Sequence, residues 1–158
     1  MLRTASALIV VLASLPAWAD ESVLSLEANV GSYGDRGGVF LSVKLVAAGE
    51  VKVATDALRA VAKKGEKDWT IRLAFSERKD SAGRPVIPSA NRLEMVSLRK
   101  GEVAEVHVAN SPDLREALSE VRKGTAALRV EYEVSADWGK RFEIWSGKVA
   151  ADAKVKTE

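Results

Sequence analysis

An antiparallel two-sheet β-sandwich carrying one short helix is the fold this sequence predicts. Hydrophobic residues alternate with period two through most of the chain, as half-buried strands require. Turn signals separate about seven such runs at fairly even spacing. One segment near position 111 carries a full set of helix start and stop signals. The 158 residues suffice for one real core and are too few for two.

The first residues are set apart from this pattern. "MLRTASALIVVLASLPAWAD" has a basic Arg3, an apolar run over 5–15, Pro16, and then Ala17-Trp18-Ala19 before Asp20. That order predicts a signal peptide over 1–19, cleaved after Ala19. The apolar run is well short of the ~20 residues that span a bilayer. The expected product is an exported protein, periplasmic or secreted, with no stable membrane anchor after cleavage. Its single sandwich domain is expected over 20–150, followed by a polar tail at 151–158.

Composition narrows the chemistry. There is no cysteine, so an exported chain of this kind has no disulfide, thiolate zinc site, thiol redox chemistry or lipid-bearing cysteine. Lys and Arg number 24 against 22 Asp and Glu, and Arg3 lies in the leader. A nucleic-acid binder would show a clustered basic excess with interleaved aromatics, and neither occurs.

Each element follows in order. "VLSLEANV" sets Leu24, Leu26, Ala28 and Val30 on one face. "VFLSVKLV" does the same with Val39, Leu41, Val43 and Leu45. The glycine-rich "GSYGDRGG" between them reads as a hairpin turn; a phosphate loop would lead into a helix, and a strand follows instead. "VKVA" is a short strand. "TDALRAVAKKG" admits a strand and turn, but a short helix is favoured, capped by Thr55 or Asp56 and stopped by Gly65. "WTIRLAFS" points Trp69, Ile71, Leu73 and Phe75 one way. "ERKDSAGRPVIPSANR" is an exposed loop by its proline and glycine content. "LEMVSLRKGEVAEVHV" gives two strands about Lys100-Gly101. In "NSPDLREALSEVRKG", Ser111 caps, Pro112 suits the first helical position, Asp113 complements the dipole, and Gly124 closes a helix over about 111–123. Leu114, Leu118 and Val121 form its inner stripe. "ALRVEYEV" is the next strand. "SADWGK" reads as a turn, and "FEIWSGKV" as the final hairpinned strand, with a bulge at Ser146-Gly147. This arrangement is of immunoglobulin-like type.

The helix-then-"GTAALRVEY" passage and the closing "EIWSGKV" resemble the last strands of small bacterial exported immunoglobulin-like modules, and also the bacterial proteinase-inhibitor sandwich. The resemblance spans Leu114 to Val149 and carries over no functional residue. It implies a binding role.

Catalytic patterns are missing. His107 is the only histidine; it sits in a strand reading, and without cysteine it would need carboxylates to complete a zinc site. No Gly-x-Ser-x-Gly elbow presents a serine. Glu131 and Glu133 lie on the polar side of a strand, which a solvated face explains. The sequence therefore predicts a non-catalytic module without cofactor or metal, whose partner is another envelope protein; the oligomeric state stays open. Binding candidates are Arg84, Pro85, Pro88 and Asn91 on the exposed loop, and Trp138 and Trp145 on the final hairpin, with open sheet edges as a further mode of peptide capture. The alternative is a hydrolase inhibitor acting through the 77–92 loop.

Overall fold

In a computed structural model of the chain, the residues described are 22–35, 37–76, 78–84, 86 and 94–156. The leader expected over 1–19 lies outside them. The described residues form a mainly β fold of ten strands and two helices: β1 (Leu24–Ser32), β2 (Val39–Ala47), β3 (Val51–Ala54), β4 (Leu58–Lys64), β5 (Asp68–Phe75), β6 (Met95–Leu98), β7 (Val103–Val106), α1 (Pro112–Arg122), β8 (Ala127–Val134), α2 (Ala136–Phe142), β9 (Gly147–Asp152) and β10 (Lys154–Val155).

Two four-stranded sheets, ordered β10-β1-β2-β7 and β4-β5-β8-β9, and a two-stranded β3-β6 sheet make up the sandwich. None closes into a barrel. The inner faces follow the alternation in the sequence: Leu24, Leu26, Ala28 and Val30 from β1, Val43 and Leu45 from β2, Ile71 and Leu73 from β5, and Leu128, Val130, Tyr132 and Val134 from β8 are all buried in one hydrophobic cluster. Each large aliphatic side chain so buried contributes about 1.5–3 kcal/mol. Ser111 caps α1 as expected, its Oγ accepting the Leu114 N–H at 3.2 Å. The helix buries Leu114, Ala117, Leu118 and Val121.

β2 with β3 and β7 with β6 form one antiparallel ribbon. Val43 pairs with Val106 and Val51 with Leu98, so the same register resumes after an interruption on both strands. The ribbon folds at that interruption. Past its two ends His107 N–H donates to Thr55 O at 2.8 Å. Thr55, the buried polar side chain's residue, thus has its carbonyl satisfied by this closure and its N–H by Glu94 O at 3.0 Å.

Four local expectations are corrected. First, 58–64 is a strand and not a helix: all seven residues pair with β5, from Leu58 opposite Phe75 to Lys64 opposite Trp69. Ala57, at φ 63°, turns the chain out of helical geometry just before it, its N–H donating to the Asp56 carboxylate. Second, "SADWGK" is not a plain turn. Ser135 Oγ accepts the Trp138 N–H and caps α2, which ends at Glu143 in left-handed conformation, φ 55°. Third, the last long strand begins at Gly147, so Phe142 belongs to α2 and Gly147 opens β9 instead of interrupting a strand. Fourth, the residues expected as a polar tail carry the end of β9 and then β10, which pairs parallel to β1 through Asn29–Lys154 and Val30–Val155. A second parallel pairing, β5 with β8, follows from the crossover through β6, β7 and α1.

Candidate functional site

The sequence-predicted residues fall in three places. Pro85, Pro88 and Asn91 lie outside the described residues. Arg84 is exposed, on a turn braced by Asp80. The Asp80 carboxylate accepts the Ala82 and Arg84 backbone N–H groups at 2.9 Å each and the Arg84 Nε at 3.0 Å. The Arg84 N–H holds the Asp80 carboxyl below its usual range, with the Ala82 N–H and the Arg84 guanidinium adding to it. Val86 N–H returns to Arg78 O at 2.7 Å and closes the base of the turn.

Trp138, a binding candidate on the expected final hairpin, is 8% exposed. Its ring stacks on Phe142 at 5.5 Å with planes 2° apart, and lies 5.2 Å from Phe75. Arg141 covers its face at 5.4 Å. The helix that sequence reasoning missed turns this side chain inward, so its role is packing. Trp145 is half-buried: its backbone N–H donates to Lys52 O at 2.8 Å and its ring lies 5.9 Å from Tyr132. It also lies against Gly147, where a Cβ would meet the indole at 2.9 Å. Neither tryptophan joins Arg84 in a common site.

The candidate contact surface is the β4 edge, which the helical reading concealed. β4 ends the order β4-β5-β8-β9. Among the described residues its strand backbone bonds to β5 alone. Beside it runs a groove of about 480 Å³, bounded by residues 57–62 and, opposite, by 109–111 and Asp113. Ala60 and Ala62 point to the groove side and are half-buried; Arg59, Val61 and Lys63 point to the other face and are exposed. Val61 is 51% exposed. The alternation of Leu58, Ala60 and Ala62 with Arg59, Val61 and Lys63 was the signal in the sequence.

The outer face of this sheet is charged. In register, Arg59 lies opposite Ala74, which pairs with Glu133, and Val61 lies opposite Arg72, which pairs with Glu131. Arg72 Nε reaches Glu133 at 2.8 Å, and Glu131 takes both Arg129 Nε at 3.4 Å and Lys148 Nζ at 3.1 Å. Burial works to raise the Glu131 carboxyl, and the Lys148 and Arg129 cations outweigh it, holding it below the usual range. These acids are therefore engaged in ion pairs on a solvated face. The positive end of the sheet is its β4 edge.

At the foot of β4, Glu120 of α1 accepts Trp69 Nε1–H at 2.6 Å and Lys64 Nζ at 3.0 Å. The Trp69 and Lys64 donors hold the Glu120 carboxyl low, and the Glu120 carboxylate raises Lys64. This knot fixes α1 against the β4–β5 end. His107 stands exposed just past β7. Among the described residues no three His, Asp or Glu side chains are placed to hold a metal ion, and no helix is long and apolar enough to cross a membrane.

Compared with family models, curated proteins and solved structures, the chain matches none.

Proposed function

We propose that this chain is an exported, non-catalytic interaction module of the cell envelope that holds a partner protein by strand addition at the β4 edge. One observation carries the reading: a seven-residue strand that, among the described residues, is hydrogen-bonded on one side only, with a groove along it. An open edge offers a row of N–H and C=O groups that an extended segment can pair with, and side-chain positions on alternate faces that select it. The export half of the proposal rests on the leader over 1–19. N-terminal sequencing of the mature protein from the envelope fraction should begin at Asp20; retention of the leader would refute export by this route.

Affinity capture from an envelope extract tests the binding half. The protein is compared with Ala60→Pro, which removes an outward-pointing backbone donor of the edge strand and leaves the β4–β5 bonds in place, and with a version whose 81–90 segment is replaced by Gly and Ser. Circular dichroism first establishes that each variant is folded. A partner lost only with Ala60→Pro supports edge capture. A partner lost only with the loop replacement supports the second reading, inhibition of a hydrolase through the 77–92 loop, which the Asp80-braced presentation of Arg84 favours. In that case the isolated target should be inhibited by the protein and should leave the loop uncut.

A further inference from the structure

We infer that the strand accepted at the β4 edge is acidic, with the pattern acid–small–apolar–small–acid, and that a second copy of this chain is excluded from the same edge. The inference rests on the edge-capture reading and names its partner.

The argument is one of register and charge. On the outer face β4 presents Arg59, Val61 and Lys63 at period two. Among the described residues, neither Arg59 nor Lys63 takes part in an ion pair, whereas Arg72 in the next row is bonded to Glu133. A strand laid along β4 sets its own alternate side chains directly opposite these three, with Cβ atoms about 4.5–5.5 Å apart. Opposite charges across such a pair stabilise and like charges destabilise. The complementary outer face therefore reads acid, apolar, acid, with the apolar residue covering the exposed Val61. The intervening side chains turn toward the groove, where Ala60 and Ala62 leave room beside Ala109. Asp113 stands on the groove's rim, so a carboxylate is disfavoured on that side. The acids belong to one face only.

The same charges decide against self-association. An antiparallel pair of β4 strands in full register, centred on Val61, would place Arg59 of each copy opposite Lys63 of the other. Both contacts are repulsive. Edge lysines are a recognised means of blocking sheet-to-sheet growth, and here they leave the edge usable by a strand of opposite sign.

Three fluorescent heptapeptides of one design test this, each with a central valine flanked by alanines and carrying glutamate, glutamine or lysine two residues either side of it. Binding to the purified protein is followed by anisotropy, with amide hydrogen exchange to locate it and sedimentation to record the oligomeric state. The glutamate peptide should bind at least tenfold tighter than the glutamine peptide, weaken as salt rises, and protect β4 amides; the protein should sediment as a monomer or as an oligomer that leaves β4 amides unprotected. The double variant Arg59→Glu with Lys63→Glu should transfer the preference to the lysine peptide. Equal binding of all three peptides with β4 protection would leave edge capture standing and overturn the acidic partner. A preference that survives the double variant would overturn the assignment to Arg59 and Lys63. Protection of β4 amides by self-association would replace the partner with a second copy. If no peptide binds and β4 stays unprotected, edge capture and the acidic partner fall together.

Discussion

Tyr132 carries the most at the level of single residues. It is fully buried in β8, and its hydroxyl donates to Ala54 O at 2.8 Å, joining the second four-stranded sheet to β3. Tyr132→Phe keeps the ring and orphans that carbonyl, so it should cost about 1–2 kcal/mol at neutral pH, measured by denaturant unfolding. Burial also pushes the phenol up from its ordinary value of 10.0. A raised pKa in the folded state means that this contribution is complete below about pH 10 and is lost as pH rises above it. The fall in stability above pH 10 should therefore be shallower in Tyr132→Phe than in the parent. Glu120 works with the opposite sign. Its carboxyl is held low by Trp69 and Lys64, so its contribution is present above the unfolded carboxylate range of about 4.3 and disappears as pH falls through the folded value. Glu120→Gln should lower the neutral plateau slightly and flatten the acid limb of the stability profile, because it removes a contribution that only the ionised carboxylate makes; an unaltered acid limb would show that the Lys64–Glu120–Trp69 knot contributes nothing. Legibility also varied at this scale. The inward side of Trp69, Ile71, Leu73 and Phe75 followed from alternation alone, whereas the burial of Trp138 did not, because it depends on which side of α2 meets Phe75.

Among the elements, α2 and β4 are where tertiary packing decides the outcome. α2 carries Ser135 as cap, Asp137 in its first turn, and Lys140 and Arg141 in its last, all of which favour a helix. Its seven residues are too few to be stable alone. The helix exists because its aromatic side docks on Phe75 and because Gly139 lets the chain at 144–146 pass close by. A Cβ at Gly139 would meet Ser146 Cβ at 2.6 Å and Ile144 O at 3.1 Å. Helix propensity alone makes Gly→Ala worth about 1 kcal/mol of added stability. Here Gly139→Ala should instead lower the denaturation midpoint, and a rise would show that α2 can lift away freely. Gly147 is the companion case, since its φ of 141° and the Trp145 indole against it both resist a side chain. For 58–64, local signals allowed two readings. The strand prevailed because β5 offers a partner to every one of its residues, a contact that propensity does not contain.

At the scale of the whole molecule, the sheets are tied at one side by the C-terminal residues and, among the described residues, left open at the other. β10 lies parallel to β1, and Lys156 N–H adds a bond to Val30 O at 2.9 Å. Removing residues 154–158 should leave a folded protein that is less stable by about 1–3 kcal/mol, from a few lost backbone hydrogen bonds, and that scatters more light on standing because β1 becomes an edge. An unchanged midpoint would show that β10 merely lies on the sheet. Among the described residues β4 has no strand neighbour beyond β5, and in the proposed reading its charges select what pairs there. The sequence by itself determined the mainly β class, the inward residues of β1, β2, β5 and β8, and α1 with its Ser111 cap, since alternation and capping are local and the side-chain period of a strand is fixed by its covalent geometry. Only the tertiary structure decided that 58–64 is an edge strand, that Trp138 packs inside, and that β5 lies parallel to β8. Those outcomes depend on which distant segment lies alongside, and that is set by how the whole apolar surface is most fully buried.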